Sequence, residues 1–252
     1  MKRTIITLLA LAGVAGAASE TIVIGLTGTE NPWEFGTYVT HDDAIPESAT
    51  TNYTVFDNVS LGESGITCKM VHSNGRTSAS DLTDNWTNQA ALDFYNQATG
   101  NSLTSTQITD GTMSHSKMGG AYETLTLNFS NSADYQAGQS ISIFAFVGSS
   151  NVDSQGGTLT SITITGLEEG YRTTIASATG TGFASTYSEA GEVSIIHIEG
   201  QLTSDRLVTL KPTGGKPGFA AVTVMPIPEP ATATLSLLAL AGLAARRRRT
   251  TR

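Results

Sequence analysis

The amino-acid sequence predicts an all-β fold, a jelly-roll-like antiparallel β-sandwich with one amphipathic helix. Short runs rich in Ile, Val, Thr and Phe recur between clusters of Gly, Asn and Ser. Several of these runs alternate apolar and polar residues with a period of two, which is typical of strands with one buried face. Because about ten such strands follow one another at short spacing, a β-sandwich is the favoured architecture.

The first 18 residues have the three-part order of a secretory signal peptide. Lys2 and Arg3 are followed by an apolar run over 5–14 and by small residues over 15–18. An N-terminal core strand or helix is the alternative, but it would not require charge, apolar run and small residues in that order. We therefore expect residues 1–18 to direct export.

Ten segments after the signal peptide have the composition of strands. They are 21–27, 53–59, 66–71, 124–130, 141–147, 159–165, 171–177, 193–199, 206–210 and 220–225. In one of them Leu125, Leu127 and Phe129 alternate with polar residues, and in another Ile162 and Ile164 do so. This alternation predicts that the apolar side chains face a core while their polar neighbours face outward.

Residues 81–99 depart from the strand pattern and predict an amphipathic helix. Ser80 or Asp81 can cap its N-terminus, and Gly100 can end it. Apolar side chains that fall four residues apart would form its buried face, namely Leu82, Trp86, Ala90 and Phe94, with Ala91, Tyr95 and Ala98 beside them. We expect this helix to cover one end or one face of the sandwich.

The C-terminal tail has the composition of a short membrane helix. The tripeptide Pro228-Glu229-Pro230 precedes an uncharged run over 231–245. Four arginines follow that run: Arg246, Arg247, Arg248 and Arg249. Fifteen helical residues span about 22 Å, short of the roughly 30 Å of a bilayer core, but arginines can snorkel and the bilayer can thin. The alternative is a buried core helix, but it would leave the four arginine charges without contact to water. We therefore expect the arginines to lie in the cytoplasm and the preceding domain to lie outside it.

This order of Pro-Glu-Pro, apolar helix, arginine cluster and chain end resembles the PEP-CTERM sorting signal of Gram-negative bacteria. The resemblance implies that an exosortase, a membrane transpeptidase-like enzyme, recognises Pro228, Glu229 and Pro230 and removes the tail. The tail would be a transient membrane anchor, and the domain would then be released or attached to the cell surface. The expected division is a signal peptide over 1–18, a β-sandwich passenger over 19–225 and the sorting signal over 226–252.

The region from about Ala90 to the tail also resembles the passenger domains of PEP-CTERM proteins. The shared features are a helix with Ala-Leu-Asp, a Leu-Thr-x-x-x-Ile-Thr turn over 103–109, a strand–Gly-Gln–strand hairpin over 125–146 and a last strand that runs into Pro-Glu-Pro. This resemblance bears on the fold and says little about function.

Charge limits the partners of the exported region. Between Ser19 and Pro230 the chain carries 7 basic and 22 acidic residues, a net charge of −15. Such a domain should repel nucleic acid and anionic lipid. No cofactor is expected, although the negative charge could attract Ca²⁺. The single cysteine, Cys68, excludes an intrachain disulfide and is interpreted as a buried small hydrophobe, with a nucleophile or an intermolecular disulfide as the alternative.

The sequence contains no catalytic or metal-binding motif. Four histidines occur without HExxH or HxH spacing: His41, His72, His115 and His197. His197 is best explained as a sheet residue, and the acidic pairs 42–43 and 168–169 as solvated loop residues. The Ser-x-x-Lys at 114–117 is a chance spacing, and residues 151–157 resemble a calcium loop without its closing acid, so a glycine-rich turn is the simpler account.

The best candidates for a ligand site are Trp33, Phe35 and Tyr38, which follow the first strand. Aromatic faces beside acids and amides hold sugars in many β-sandwiches, and plain packing against the sandwich edge is the alternative. The preferred function is a non-enzymatic structural or adhesive protein of the cell surface or extracellular matrix. A carbohydrate-binding module that contacts extracellular polysaccharide comes second, and a glycoside hydrolase comes last because the recognisable motifs serve transport.

Overall fold

The computed structural model describes residues 19–26, 30–41, 52–73, 77–81, 88–110, 112–116, 122–149, 159–177, 180–181, 192–214 and 217–227. The strands in these ranges are β1 (Glu20–Leu26), β2 (Thr37–His41), β3 (Tyr53–Leu61), β4 (Ile66–Ser73), β5 (Thr77–Asp81), β6 (Thr112–Ser116), β7 (Tyr122–Asn128), β8 (Ser140–Ser149), β9 (Leu159–Thr165), β10 (Arg172–Ser177), β11 (Gly180–Thr181), β12 (Glu192–Gln201), β13 (Leu207–Gly214) and β14 (Pro217–Pro226). The helices are α1 (Gln89–Thr99) and α2 (Ser105–Thr109).

The strands form two sheets. The order in the large sheet is β11-β10-β12-β8-β14-β1-β2, with β6 also pairing β14 and β5 pairing β6. The order in the small sheet is β3-β4-β7-β13-β9. Among the described strands every pair is antiparallel except β1 with β2. The prediction of an all-β fold rich in antiparallel pairs is confirmed, and the two sheets are consistent with a sandwich.

The main hydrophobic core combines side chains from both sheets. Leu125 and Leu127 of the small sheet are fully buried, and they share this core with Ile141 and Ile143 of the large sheet. Apolar side chains from both sheets are removed from water together, which is the main favourable term in folding. The alternation predicted for 124–130 is therefore confirmed.

Strand β8 is apolar on both faces because the large sheet is covered on both sides. Ile141 and Ile143 belong to the main core, whereas Phe144 and Phe146 belong to a second cluster. We call this second group the helix-side cluster; its buried members are Val23, Trp33, Leu92, Tyr95, Leu103, Ile108, Phe144, Phe146, Val193, Ile195, Ala220 and Ala221. A strand buried on both faces reads as a continuous apolar run, as 141–147 does.

Both helices contribute to the helix-side cluster and form a third layer over the large sheet. Each helix has clear end signals. Helix α1 begins after Asn88, whose side-chain oxygen accepts a hydrogen bond from the N–H of Ala91 at 3.0 Å. It ends at Gly100, whose φ of 74° is left-handed and suits a glycine. Helix α2 begins with a capping box formed by Thr104 and Gln107. It stands where the Leu-Thr-x-x-x-Ile-Thr pattern predicted a turn.

The predicted start of the amphipathic helix is wrong. Ser80 and Asp81, the predicted caps, lie in strand β5, where Asp81 pairs with Thr112 of β6. The helix begins only at Gln89. Short polar residues favour caps, but here strand pairing with a distant segment outweighs that local preference.

The predicted buried face of the helix is right for Tyr95, Ala91 and Ala98, which belong to or pack against the helix-side cluster, and wrong for Ala90 and Phe94. Ala90 is exposed and Phe94 is 47% exposed, whereas Leu92 and Tyr95 are buried. Two earlier positions of the predicted face lie outside the described residues: Leu82 and Trp86. The surface of the large sheet selects the pair Leu92 and Tyr95, three residues apart on one side of the helix.

All ten predicted strand segments are strands, with ends shifted by a few residues. Strands β2, β5, β6 and β11 were not predicted. They are short and contain many Ser, Thr and Gly residues, so no apolar alternation marks them.

The hairpin predicted over 125–146 does not form, because β7 belongs to the small sheet and β8 to the large sheet. The connection between them buries Phe129 and Tyr135, whose rings lie 5.2 Å apart. The Arg206 guanidinium donates to the carbonyl oxygens of Ser132 at 3.3 Å and Tyr135 at 3.1 Å. These contacts stabilise a connection that crosses from the small sheet to the large sheet. A tight hairpin turn could not make that crossing.

Residues 1–18 and 228–252 lie outside the described residues, and with them the predicted signal peptide, sorting motif and membrane helix. Within the described ranges, neither helix combines the length and apolar character needed to cross a membrane.

Candidate functional site

Trp33, the first of the three predicted sugar-binding residues, is a core residue. Its side chain is 1% exposed and belongs to the helix-side cluster. The indole meets the ring of Phe146 edge-on, with centroids 4.7 Å apart, and the Trp33 carbonyl oxygen accepts a hydrogen bond from the Gln107 side chain at 3.3 Å. The indole therefore presents no open face to a sugar ring, and the packing alternative describes it.

Phe35 and Tyr38 are half-buried and pack against the same cluster. The ring of Phe35 lies 5.9 Å from that of Trp33. Asn31 holds the turn together, because its Oδ1 accepts from the Trp33 N–H at 3.0 Å and its amide donates to the Phe35 carbonyl oxygen at 2.9 Å. The structure thus brings the three predicted residues together, but as packing around one buried indole.

His197 lies on β12, on the face of the large sheet that α1 covers. Its Nε2 lies 2.7 Å from Ser142 Oγ and 3.9 Å from a carboxylate oxygen of Glu199. The imidazole stacks on the ring of Phe144 at 4.4 Å, and the ring of Phe94 meets it edge-on at 5.2 Å. Burial lowers the pKa of His197 and outweighs the Glu199 carboxylate, which raises it. The imidazole is therefore neutral at neutral pH, and its Nε2 shares a hydrogen bond with the Ser142 hydroxyl in the direction that its tautomer sets.

A serine hydroxyl on a neutral imidazole is also the first half of a hydrolytic triad, but this arrangement lacks the other half. Glu199 approaches the same ring nitrogen as Ser142, whereas the acid of a triad holds the opposite nitrogen. Ser142 is 4% exposed, and its backbone is paired with Glu199 on one side and Met225 on the other. Backbone amides in sheet ladders are not free to hold an oxyanion. The interpretation of His197 as a sheet residue is confirmed.

Two buried titratable residues face each other across β4 and β7. His72 and Glu123 are directly paired, and both are 0% exposed. A Glu123 carboxylate oxygen accepts a hydrogen bond from the backbone N–H of Phe219 at 3.3 Å, which joins the small sheet to β14. Sequence reasoning missed this pair because strand register, and no local pattern, brings the two residues together.

Two further sequence interpretations are confirmed. Cys68 is a free cysteine that is 1% exposed, and burial raises its pKa to about 12. Glu168 and Glu169 are exposed in the connection between β9 and β10, as expected of solvated loop residues.

Other polar candidates lie outside the described part of the chain: the side chain of His41, residues 42–43, the side chains of 114–117 and residues 151–157. Among the residues that are described, no three His, Cys, Asp or Glu side chains gather in a group that could hold a metal ion.

A pocket opens on the outer face of the small sheet, where β3 carries a β-bulge. Between its pairs with Met70 and Cys68, strand β3 advances by one residue more than β4. Asp57 and Asn58 therefore stand together opposite Lys69. Asn58 has a φ of 55°, a left-handed conformation that asparagine tolerates better than most side chains. A bulge of this kind redirects side chains, and here it turns two polar groups toward one side of the sheet.

This bulge pocket has a volume of about 180 Å³, and its lining residues are Asp57, Asn58, Thr67, Cys68, Lys69, Thr126, Asn128 and Leu207. Asp57 Oδ2 lies 2.8 Å from Lys69 Nζ, and both side chains remain partly exposed. Leu207, which is 42% exposed, supplies an apolar wall. The pocket thus combines a carboxylate, an ammonium group, amides and hydroxyls with no net charge.

The sequence did not single out this pocket. Its one local sign is the pair Asp57-Asn58, which breaks the alternation of the strand predicted over 53–59. The other lining residues come from β4, β7 and β13, so only the sheet order brings them together. No known protein family, curated protein or solved structure matches this chain.

Proposed function

We propose that this protein is exported from a Gram-negative cell, sorted by an exosortase through its C-terminal tail, and used as a non-enzymatic structural or adhesive protein of the cell surface or extracellular matrix. The observation that carries the proposal is the order of the tail, in which Pro228-Glu229-Pro230 precedes an uncharged run and four arginines. Arginines at the end of an apolar segment favour the cytoplasmic side, which leaves the preceding domain outside.

The first and last described strands support a domain that is processed at both ends. Glu20 at the start of β1 pairs with Val224 near the end of β14. Both ends of the described chain therefore leave the large sheet at the same side. The N–H of Ile227 still donates to the Ser140 carbonyl oxygen at 2.9 Å, one residue before the sorting motif begins. That side of the domain would face the membrane while the tail is inserted, within reach of a membrane-bound exosortase.

Removal of the tail would leave the sheet intact. Strand β14 lies between β8 and β1 and pairs with β8 as far as Pro226 and Ile141. A cut after Pro230 would remove no residue of these pairs, so the released domain keeps its central strand.

We further propose a jelly-roll-like strand path, a signal peptide over 1–18 and a membrane helix after Pro230, as the sequence predicts. The proposal leaves out a sugar site at Trp33, because that indole is buried. The net charge of −15 between Ser19 and Pro230 suits a secreted domain that stays dissolved and avoids nucleic acid.

Mass spectrometry of the protein recovered from outside the producing cells tests the proposal. We expect a mature chain that starts near Ser19 and lacks the residues after the Pro-Glu-Pro region. A variant with alanine at positions 228, 229 and 230 should keep the tail and remain in the inner membrane. The matched control is Glu169→Ala, at an exposed glutamate between β9 and β10, which should be processed like the wild type.

An intact Arg252 on the surface-exposed protein would contradict this proposal. Processing of the triple-alanine variant at the wild-type rate would contradict the role of the tripeptide.

A further inference from the structure

We propose that the bulge pocket on the small sheet binds a neutral saccharide, one sugar ring at a time. This inference concerns a ligand of the folded domain and does not depend on how the tail is processed. It also differs in place from the aromatic residues near Trp33, which lie with the helices on the other side of the large sheet.

The polar groups of the pocket match the hydroxyls of a sugar. Each sugar hydroxyl donates one hydrogen bond and accepts others, so a matching site needs donors and acceptors side by side. Asp57 Oδ2 is engaged by Lys69 Nζ at 2.8 Å, which leaves its second oxygen to accept and two ammonium hydrogens to donate. Asn58 and Thr67, which also line the pocket, add an amide and a hydroxyl.

The charges of the pocket favour a neutral ligand over an ion. Asp57 would repel a phosphate or a carboxylate, and Lys69 would repel a metal cation. Two adjacent sugar hydroxyls can instead bind both groups at once, because one donates a hydrogen bond to the carboxylate and the other accepts one from the ammonium group. Both charged side chains keep contact with water, so their partial desolvation on binding is limited.

Size and shape restrict the ligand to about one ring. The volume of about 180 Å³ is below the roughly 300–1,000 Å³ of sites for drug-sized molecules. Leu207, at 42% exposure, offers an apolar surface against which the C–H face of a sugar can pack. The open outer face of the sheet would let neighbouring units of a longer chain continue into solvent.

The backbone conformation at the bulge directs the side chains of Asp57 and Asn58 toward the pocket. Asn58 adopts a φ of 55°, and conformations of this kind in non-glycine residues concentrate at binding and catalytic sites. Without the extra residue, the strand would turn either Asp57 or Asn58 toward the core. The bulge thus places both side chains beside Lys69 on the solvent side.

Saturation-transfer NMR tests the proposal on the full-length chain, held in a zwitterionic detergent that contains no sugar. The probes are glucose, galactose, mannose and N-acetylglucosamine, each at about 10 mM because a small open site supports millimolar affinity. We expect signal from at least one of them. Asp57→Ala should weaken that signal at least about tenfold, the equivalent of one or two lost hydrogen bonds to a charged group. Asn58→Gly, which keeps the left-handed backbone and removes the amide, should also weaken it.

The matched control is Asp93→Ala, at an exposed acid on α1 in the opposite layer, which should bind like the wild type. Thermal unfolding of each variant verifies that it is folded, and an exposed ion pair such as Asp57–Lys69 contributes little to stability. Absence of signal from all four sugars overturns the proposal. Sugar binding that both pocket variants leave unchanged overturns it as well, because the ligand then lies elsewhere. Binding of inorganic phosphate that is lost in Lys69→Met would show a charge-selecting site and would also overturn it.

Discussion

The hydroxyl of Tyr95 lies 3.0 Å from Oγ1 of Thr223, which in turn lies 2.8 Å from Oγ1 of Thr21. The amide of Asn101 donates to the same phenol at 3.2 Å. These bonds join helix α1 to the central strands β14 and β1. Tyr95, Thr223 and Thr21 are all buried, so each hydroxyl needs a partner inside the protein. Burial also raises the pKa of Tyr95, so the phenol stays neutral and can donate.

Tyr95→Phe removes the phenol from this chain while keeping the ring. We expect a loss of about 1–2 kcal/mol in the free energy of unfolding, because Asn101 and Thr223 lose a buried partner. Urea denaturation measures the change. The control is Tyr171→Phe at a site that is 40% exposed, where a change within about 0.5 kcal/mol is expected. Equal effects of the two substitutions would contradict a structural role for the Tyr95 hydroxyl.

Gly166 and Gly170 form a matched pair for a test of backbone crowding. Both have left-handed φ, 88° and 91°, so alanine is strained at either position. At Gly166 the added Cβ would overlap the carbonyl oxygen of Leu207, whereas at Gly170 it would meet no atom within 4 Å. We expect Gly170→Ala to cost about 1–2 kcal/mol and Gly166→Ala more than about 3 kcal/mol. Thermal unfolding of both variants compares them, and similar melting temperatures would refute the close approach at Leu207.

His197 should make the stability of the protein depend on pH. Burial holds its pKa below the 6.5 of a free histidine, so the unfolded chain binds a proton that the folded chain refuses. Its contribution is complete above pH 6.5 and is lost as the pH falls through that value toward the folded pKa. Unfolding free energies from about pH 7.5 to about pH 5 should therefore fall less steeply in His197→Gln than in the wild type.

Glutamine at position 197 can keep a hydrogen bond to Ser142 but cannot titrate. Because His72 and Glu123 remain in both proteins, the difference between the two curves isolates His197. Parallel curves below pH 6.5 would contradict the effect of burial on this imidazole.

Cys68 provides a probe of the sealed core. It is the single cysteine of the chain and its pKa is raised to about 12 by burial. Compared with an ordinary thiol of pKa about 8.5, this leaves on the order of 10³-fold less thiolate at pH 8. We expect a disulfide reagent to label the native protein very slowly and the urea-unfolded protein at once. Cys68→Ala supplies the zero baseline, and stoichiometric labelling of the native protein within minutes would be incompatible with the buried site.

Strand existence was largely predictable because it follows from local side-chain patterns. The apolar run of β8 and the alternation of Leu125, Leu127 and Phe129 can both be read from residues close together in the chain. In both cases the apolar side chains are buried. The predicted hairpin between β7 and β8 was wrong because sheet membership depends on distant partners. Arg206, 71 positions beyond Tyr135, holds the connection that separates the two strands.

The candidate pocket was not predictable for a related reason. Asp57 and Asn58 read as an interruption of a strand, and only the register of β3 against β4 shows that both stand opposite Lys69. The aromatic trio shows the converse case. Its members do lie together, but the packing of Trp33 against Phe146 makes that indole part of the core and leaves it no open face for a ligand.

The sequence by itself determined the all-β character of the region between residues 19 and 225, its acidic charge, the burial of Cys68 and the expectation of a sorted, membrane-anchored precursor. These properties depend on composition and on residues close together in the chain. The tertiary structure alone decided which strands share a sheet, which face of α1 is buried and where polar side chains converge into a pocket. Those features depend on pairings between distant segments, whose energies are shared across the whole core and leave little trace in local sequence.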